Sequence, residues 1–346
     1  MKIWFEILTP KQVLFFGPMI KKLAKKHKIL CTSRHYREVD ELANVLGLKL
    51  TYVESYTGIT KADKLNVSIR RMKKLTDLVL KFSPDLVISD CSSDASRVAF
   101  GLGLKHIAFT DIPSATIPLK LSLSLVDRLL TPWIIPKKSF TKFGIPAKHI
   151  IQYKAIDAAP IIKNAIKIKS SLSFPKKKTI LFRTYETHAS YATTQGVTRM
   201  YKMLEAIVNA NKDWNILVLT RYVDQLQELK NKFGNKIIIL DRVIPSQELL
   251  PLIDVYVGSG GTMTAESAFR GIPNISYNSN QNVIGDYLIN KKLTHLITDP
   301  KKLIPKISKL LESDNKKFKK RAKDMLNSME DPYQSLIKVM KSINNS

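Results

Sequence analysis

Val257-Gly258-Ser259-Gly260-Gly261-Thr262-Met263-Thr264-Ala265-Glu266 decides how this chain is read, because it closes an apolar strand-like run and opens a helical one. Gly258, Gly260 and Gly261 let the backbone adopt positive φ and come close to a ligand. A helix beginning at Thr262 aims unpaired N–H groups and the positive end of its dipole at whatever precedes it, which suits phosphate. Thr262 and Thr264 add hydroxyl donors, and Glu266, about one turn in, can accept two hydrogen bonds from a ribose diol. The plain alternative is a tight strand–helix turn in which Glu266 only favours the helix dipole. The stretch is neither a Walker loop nor a Gly-x-Gly-x-x-Gly fingerprint.

Outward from this turn, short β-branched runs alternate with amphipathic stretches, the pattern of parallel sheets covered on both faces. In the same half, strands are expected at 179–183, 215–220, 236–240, 254–258 and 274–277, with helices at 194–210, 223–233, 247–252, 262–269 and 283–291. A Lys- and Ser-rich stretch, with Pro160 before it and Pro175 near its end, breaks the alternation and reads as a linker. The N-terminal half shows strands at 3–8, 29–33, 48–53, 86–89, 106–110, 130–135 and 149–153. Helices are expected at 13–26, 37–46, 63–82 and 93–102, with Asp63 and Ser93 as N-cap residues. From 302 onward the chain reads as three helices. The fold class is therefore α/β, two facing Rossmann-like parallel-sheet domains with a helical C-terminal tail. The expected divisions are 1–160 for the first domain, 161–178 for the linker, 179–312 for the second domain and 313–346 for the tail. Ligands of open parallel sheets sit outside the carboxyl ends of the strands, so the loops after strands, on either side of the expected cleft, are where chemistry is sought.

The 346 residues suffice for two cores, and no run approaches the roughly 18 apolar residues of a membrane span. The first eight residues run into a strand without a basic region, a long apolar core or a small-residue cleavage site, so no signal peptide is read. Cys31 and Cys91 are too few for a disulfide framework or a zinc site, and a reducing cytoplasm is expected. Lys and Arg number 56 against 29 acidic residues, a net charge of +27. Such an excess attracts phosphorylated molecules or anionic membrane, or merely solvates helix faces. No specific nucleic-acid partner is expected, since the lysines are spread over nearly every helix and no nucleic-acid-binding motif is present. The segment 112–133, rich in Leu, Ile and Pro with Lys120 and Arg128, reads as a core helix; the alternative is an apolar–basic patch resting on a membrane.

Gly260-Gly261-Thr262-Met263-Thr264-x-Glu266, followed by Gly271-Ile272-Pro273, resembles the donor-site segment of glycosyltransferase-B (GT-B) enzymes, among them the GlcNAc transferase that builds the lipid intermediate of peptidoglycan. It is also similar to the Ser-Gly-Gly…Glu of the non-hydrolysing UDP-GlcNAc 2-epimerases. The resemblance implies a GT-B architecture, with Ser259, Gly260 and Gly261 at a diphosphate and Glu266 at a ribose; the Thr262 hydroxyl would join them at the nucleotide. Lys2-Ile3-Trp4, Thr9-Pro10-Lys11, Phe15-Phe16 and Thr32-x-Arg34-x-Tyr36 resemble a largely archaeal family, domain of unknown function family 354, itself glycosyltransferase-like. That likeness covers residue 1 to about 310.

Arg183-Thr184-Tyr185-Glu186-Thr187-His188 follows the first strand of the second domain and weakly resembles the His-Arg-Arg-Glu-Asn of the epimerases. Arg183 can neutralise a diphosphate, with Glu186 and His188 beside the substrate; a local Arg183–Glu186 ion pair is the alternative. In the first domain Asp90 and Asp111 follow strands, and either can be the general base that a sugar hydroxyl needs to attack an anomeric carbon. They correspond loosely to the acidic residues of the epimerases, without the flanking residues, and helix N-capping would explain either one. The transferases often carry a Gly-rich turn and a His where this chain has Thr9-Pro10-Lys11-Gln12; Lys11 brings a charge there, suited to a phosphate on the acceptor. No Asp-x-Asp metal site is read and no cofactor is expected. The reading is a metal-independent transferase moving a sugar, a HexNAc by resemblance, from a UDP-sugar to an unidentified, lipid-linked or soluble acceptor in the cytoplasm or at the inner membrane face. A UDP-HexNAc 2-epimerase and a non-catalytic nucleotide-sugar-binding protein are the alternatives.

Overall fold

The structure is a computed structural model that describes all residues except 56–59, 167–169, 171, 187–192, 211, 221, 278–281 and 345–346. Two compact units result, Met1–Pro160 with Glu330–Ser346, and Ile161–Met329. The first contains β1 (Lys2–Glu6), α1 (Pro10–Leu23), β2 (Lys28–His35), α2 (Arg37–Leu46), β3 (Thr51–Ser55), α3 (Lys61–Phe82) and β4 (Leu86–Ser89). It continues with α4 (Ser93–Gly101), β5 (Lys105–Phe109), α5 (Thr116–Lys120), β6 (Arg128–Pro132), α6 (Lys138–Thr141) and β7 (Ile150–Tyr153). Helix α7 (Ala158–Lys163) carries the chain past the boundary. The second unit holds β8 (Lys178–Arg183), α8 (Thr194–Asn209), β9 (Trp214–Leu219), α9 (Val223–Phe233), β10 (Ile238–Leu240), α10 (Ser246–Leu249) and β11 (Val255–Gly258). It closes with α11 (Thr262–Phe269), β12 (Asn274–Ser276), α12 (Val283–Asn290), β13 (His295–Leu296), α13 (Pro300–Glu312) and α14 (Lys316–Asn327), before α15 (Pro332–Asn344) returns to the first unit.

Both sheets are parallel, in the order β3-β2-β1-β4-β5-β6-β7 and β10-β9-β8-β11-β12-β13. In each, chain order reverses at one point, between β1 and β4 and between β8 and β11. Crossovers leave in opposite directions there and open a crevice at the carboxyl edge. The central strands are buried on both faces, as in β4 and β11, because helices cover both sides.

The local chemistry explains the placement of α1 and so of the loop before it. Pro10 stands at the start of the helix, where its missing N–H costs nothing, and Thr9 caps the N–H of Gln12. Phe15 and Phe16 then pack edge-on against Phe109 at 5.5 and 5.4 Å between ring centres, and Phe16 against Phe5 at 5.7 Å.

Several expectations are corrected. Thr60 caps α3 in a capping box with Asp63, and Ser92 caps α4, so Asp63 and Ser93 are not the caps. Segment 112–133 is no core helix: it breaks into the five-residue α5, a short 3₁₀ turn and β6, and Ile112, Ile117 and Leu121 are exposed. Its apolar composition signalled burial for Leu119, Leu123 and β6 without a helical period. Strand β13, with two residues, had no legible pattern. Among the described residues no helix is long and apolar enough to cross a membrane.

Candidate functional site

In the first unit the carboxyl edge gathers one ammonium and three carboxylates. The α1 dipole end carries Lys11, whose Nζ lies 2.5 Å from Asp111, 2.7 Å from Asp157 and 4.0 Å from Asp90. Asp90 follows β4, Asp111 follows β5 and Asp157 follows β7. Neither Asp90 nor Asp111 is a helix cap, since Ser92 and Ala115 hold those positions. Asp157, 4% exposed, also accepts a hydrogen bond of 2.6 Å from the Tyr153 hydroxyl.

The electrostatics divide the three acids. Burial opposes the Lys11 charge, but Asp111, Asp157 and Asp90 outweigh it and raise the ammonium above its ordinary value. Burial raises Asp90; Lys11 at 4.0 Å pulls it down, Asp111 and Asp157 push it back up, and it stands at about 7. Asp157 is likewise raised, first by burial. Asp111 and Asp157, at 2.5 and 2.7 Å, therefore clamp Lys11, while Asp90, at 4.0 Å, stands farther from the ammonium with its carboxyl raised to about 7. Among the described residues no three metal-ligating side chains are grouped to hold an ion. Cys91, next to Asp90, sits at φ 46° with its thiol pushed up by burial, and is a buried structural residue.

In the second unit β11 ends at Gly258, and the backbone turns through Gly260 at φ 95° and Gly261 at φ 82° into α11. A Cβ on Gly258 would lie 2.3 Å from the Tyr256 hydroxyl oxygen, so only glycine fits. Gly261, at the N-cap of α11, is exposed and has no side-chain cap, so the first N–H groups of the helix open toward solvent. Ser259, Gly260 and Thr262 are half-buried, whereas Thr264 is 3% exposed and turned into the core, so it is not the hydroxyl donor its position suggests.

Glu266 is 2% exposed and accepts a short hydrogen bond from the Ser246 hydroxyl. Burial raises its carboxyl, opposed by Ser246, Arg270 and Arg183. Arg183, at the end of β8 on the other side of the reversal point, directs Nη1 to the Met263 sulfur at 3.2 Å. Its carbonyl accepts from the Tyr277 hydroxyl at 2.8 Å. Glu186 accepts a short hydrogen bond from the Tyr222 hydroxyl. His188 lies outside the described residues. The second edge thus brings together Ser259, Gly260, Gly261, Thr262, Glu266 and Arg183, and the first brings together Lys11, Asp90 and Asp111.

Asp157, Tyr153 and Ser246 complete these groups without having been singled out in the sequence. Asp157 stands in Ala155-Ile156-Asp157-Ala158, an apolar stretch with no turn signal, and a lone buried Asp there is its single clue.

An uncharacterized protein of Methanocaldococcus jannaschii is 26% identical over 313 residues, covering 87% of this chain and 89% of its own. The UDP-GlcNAc 2-epimerase of Neisseria meningitidis, solved bound to UDP-GlcNAc, is similar with a TM-score of 0.72 at 15% identity, each chain covered completely (100%). The spinosyn forosaminyltransferase is similar with a TM-score of 0.67 at 14% identity over 99% of both chains. At these identities the likeness establishes the fold, that of the GT-B glycosyltransferases and 2-epimerases. The family model described as Protein of unknown function (DUF354) matches residues 1–343, and the chain belongs to that family.

Proposed function

We propose that this protein is an enzyme acting on a UDP-sugar, with the nucleotide on the second unit and proton transfer on the first. The observation that carries the reading is the turn at 258–262: two glycines at positive φ leave the start of α11 uncapped by any side chain, at the reversal point of a parallel sheet. That is the geometry in which diphosphates are held by backbone N–H groups and a helix dipole. Arg183 would add a cation to the leaving diphosphate. Ser246 occupies one oxygen of Glu266 and fixes its plane; a carboxylate has further lone pairs for a ribose diol.

In the transferase reading Asp90 takes the proton of the acceptor hydroxyl as that oxygen bonds to the anomeric carbon. The bond from anomeric carbon to diphosphate oxygen breaks, and UDP departs with the electron pair. A carboxyl near 7 is matched to this work at neutral pH. Lys11, clamped by Asp111 and Asp157, keeps those two acids in place and sets the field at Asp90.

The 2-epimerase reading is favoured by the same cluster, because elimination and re-addition need an acid and a base and no acceptor. Incubation with a panel of nucleotide sugars, with and without lipid extract, separates the two by mass spectrometry and NMR. UDP released only with acceptor supports transfer, while an epimer formed without acceptor replaces it with epimerisation. If no nucleotide sugar is bound or consumed at millimolar concentration, the UDP-sugar reading is wrong.

A further inference from the structure

The Thr32-x-Arg34-x-Tyr36 motif plays no part in either site above, yet Arg34 lines a partly open pocket at the same carboxyl edge of the first sheet. We propose that this pocket, formed by Arg34, Ser55, Lys64, Ser68, Arg71 and Asp94, is a phosphate-binding subsite that seats a phosphate group carried by the acceptor. As the seat of an acceptor it rests on the transferase reading; as a phosphate site it does not.

The elements bring the donors together for simple reasons. Arg34 is near the end of β2 and Ser55 ends β3, while Lys64, Ser68 and Arg71 recur at helical spacing on one face of α3. Arg71 is 3% exposed and rigidly held: Nε donates to the Val53 carbonyl at 3.2 Å, Nη1 to Asp94 at 3.2 Å and Nη2 to Glu6. A guanidinium has five N–H donors, so these three bonds orient the group and leave two N–H for a ligand. Asp94 is already engaged by Arg71 and, at 2.6 Å, by the Ser68 hydroxyl. The nearby Glu54 is turned to Lys74 at 2.6 Å.

The charge of the lining is therefore positive. Arg34, Lys64 and Arg71 line it beside one carboxylate, Asp94, and Glu6 pairs with Arg71 from behind. Arg71 alone satisfies the two acids, Glu6 and Asp94, and Arg34 and Lys64 add further cationic donors to the lining, which an entering anion would meet. The pocket offers about 90 Å³. That is several times the roughly 10–15 Å³ of cavity space that one water molecule needs, room for a tetrahedral anion. Guanidinium and hydroxyl donors around such a volume match phosphate oxygens. Lys11 is a poorer seat for the acceptor phosphate, because Asp111 and Asp157 already hold its ammonium at 2.5 and 2.7 Å.

The test is calorimetric titration of the full chain with inorganic phosphate and with glycerol 1-phosphate, on the wild type, on Lys64→Glu and on the Arg34→Ala/Lys64→Ala pair. Lys64 is exposed and Arg34 half-buried, so thermal melts should show the variants folded. Both anions are expected to bind the wild type and to lose at least about tenfold in affinity in each variant, while UDP binding stays within about twofold. Unchanged phosphate affinity in the variants, or binding of inorganic phosphate with exclusion of glycerol 1-phosphate, would overturn the proposal. Loss of the UDP-sugar reading alone would appear differently: no UDP isotherm, with the phosphate isotherms intact.

Discussion

At the scale of the residue, Asp90 and Lys11 carry the electrostatic argument, and both can be tested through stability. A folded-state carboxyl near 7, against an ordinary value of 3.8, means that the folded protein keeps a proton which the unfolded chain releases. The stability this adds is full below about pH 4 and lost as pH rises to about 7. Asp90→Asn mimics the protonated form at every pH. Relative to wild type the variant should gain roughly 1–3 kcal/mol between pH 5 and pH 8, measured by urea unfolding, while losing turnover. A flat difference across that range would mean that Asp90 is not raised. Lys11→Met strands Asp111 and Asp157 and should cost roughly 3–5 kcal/mol at pH 7, measured by urea unfolding. A loss below about 1 kcal/mol would argue against the clamp. The sequence exposed Lys11, Asp90 and Asp111 as loop residues after strands, but the meeting of Lys11 with Asp90 and Asp111, 79 and 100 positions downstream, depends on β1, β4 and β5 being neighbours in the sheet. Asp157, with no local pattern, became visible only when β7 was placed.

At the scale of the element, the glycines of the turn after β11 separate two physical constraints. Gly258→Ala drives a methyl group against Tyr256, 2.3 Å from its hydroxyl oxygen and 2.6 Å from its ring, and should destabilise by roughly 2–4 kcal/mol through overpacking. Gly261→Ala meets no atom within 4 Å, so its cost is conformational, from φ 82° and ψ −164°, and should be roughly 1–3 kcal/mol. Denaturation of the two variants checks both; a cost-free Gly261→Ala would show that the turn does not need positive φ. The turn itself was legible, because an apolar run, glycines and a helical run in succession admit few backbones. Segment 112–133 was not, since Leu and Ile report burial regardless of period, and there they fill a broken helix, a 3₁₀ turn and β6.

At the scale of the molecule, the alternation of apolar runs and amphipathic helices was enough to give two parallel sheets, because strands buried on both faces leave continuous hydrophobic runs. Where the last helix packs was not legible: an amphipathic helix announces a buried face without naming what covers it. In the structure α15 packs on β6 and β7, with Leu336, Val339, Met340 and Ile343 buried. Lys22–Asp331 at 2.9 Å and the backbone bond from Glu330 to Lys154 tie the segment down. Deleting 330–346 should therefore lower the melting transition of the first unit by several degrees while leaving that of the second unchanged. A uniform shift of both, read by hydrogen exchange, would contradict this assignment.

The turn of residues 258–266 is the proposed seat of UDP on the second unit. Calorimetric titration of UDP into the wild type, Glu266→Ala and Asp90→Asn tests it. The expected result is saturable binding by the wild type, weakened at least about tenfold by Glu266→Ala and unchanged by Asp90→Asn. No binding of UDP to the folded wild type at millimolar concentration, or equal binding by Glu266→Ala, would contradict it.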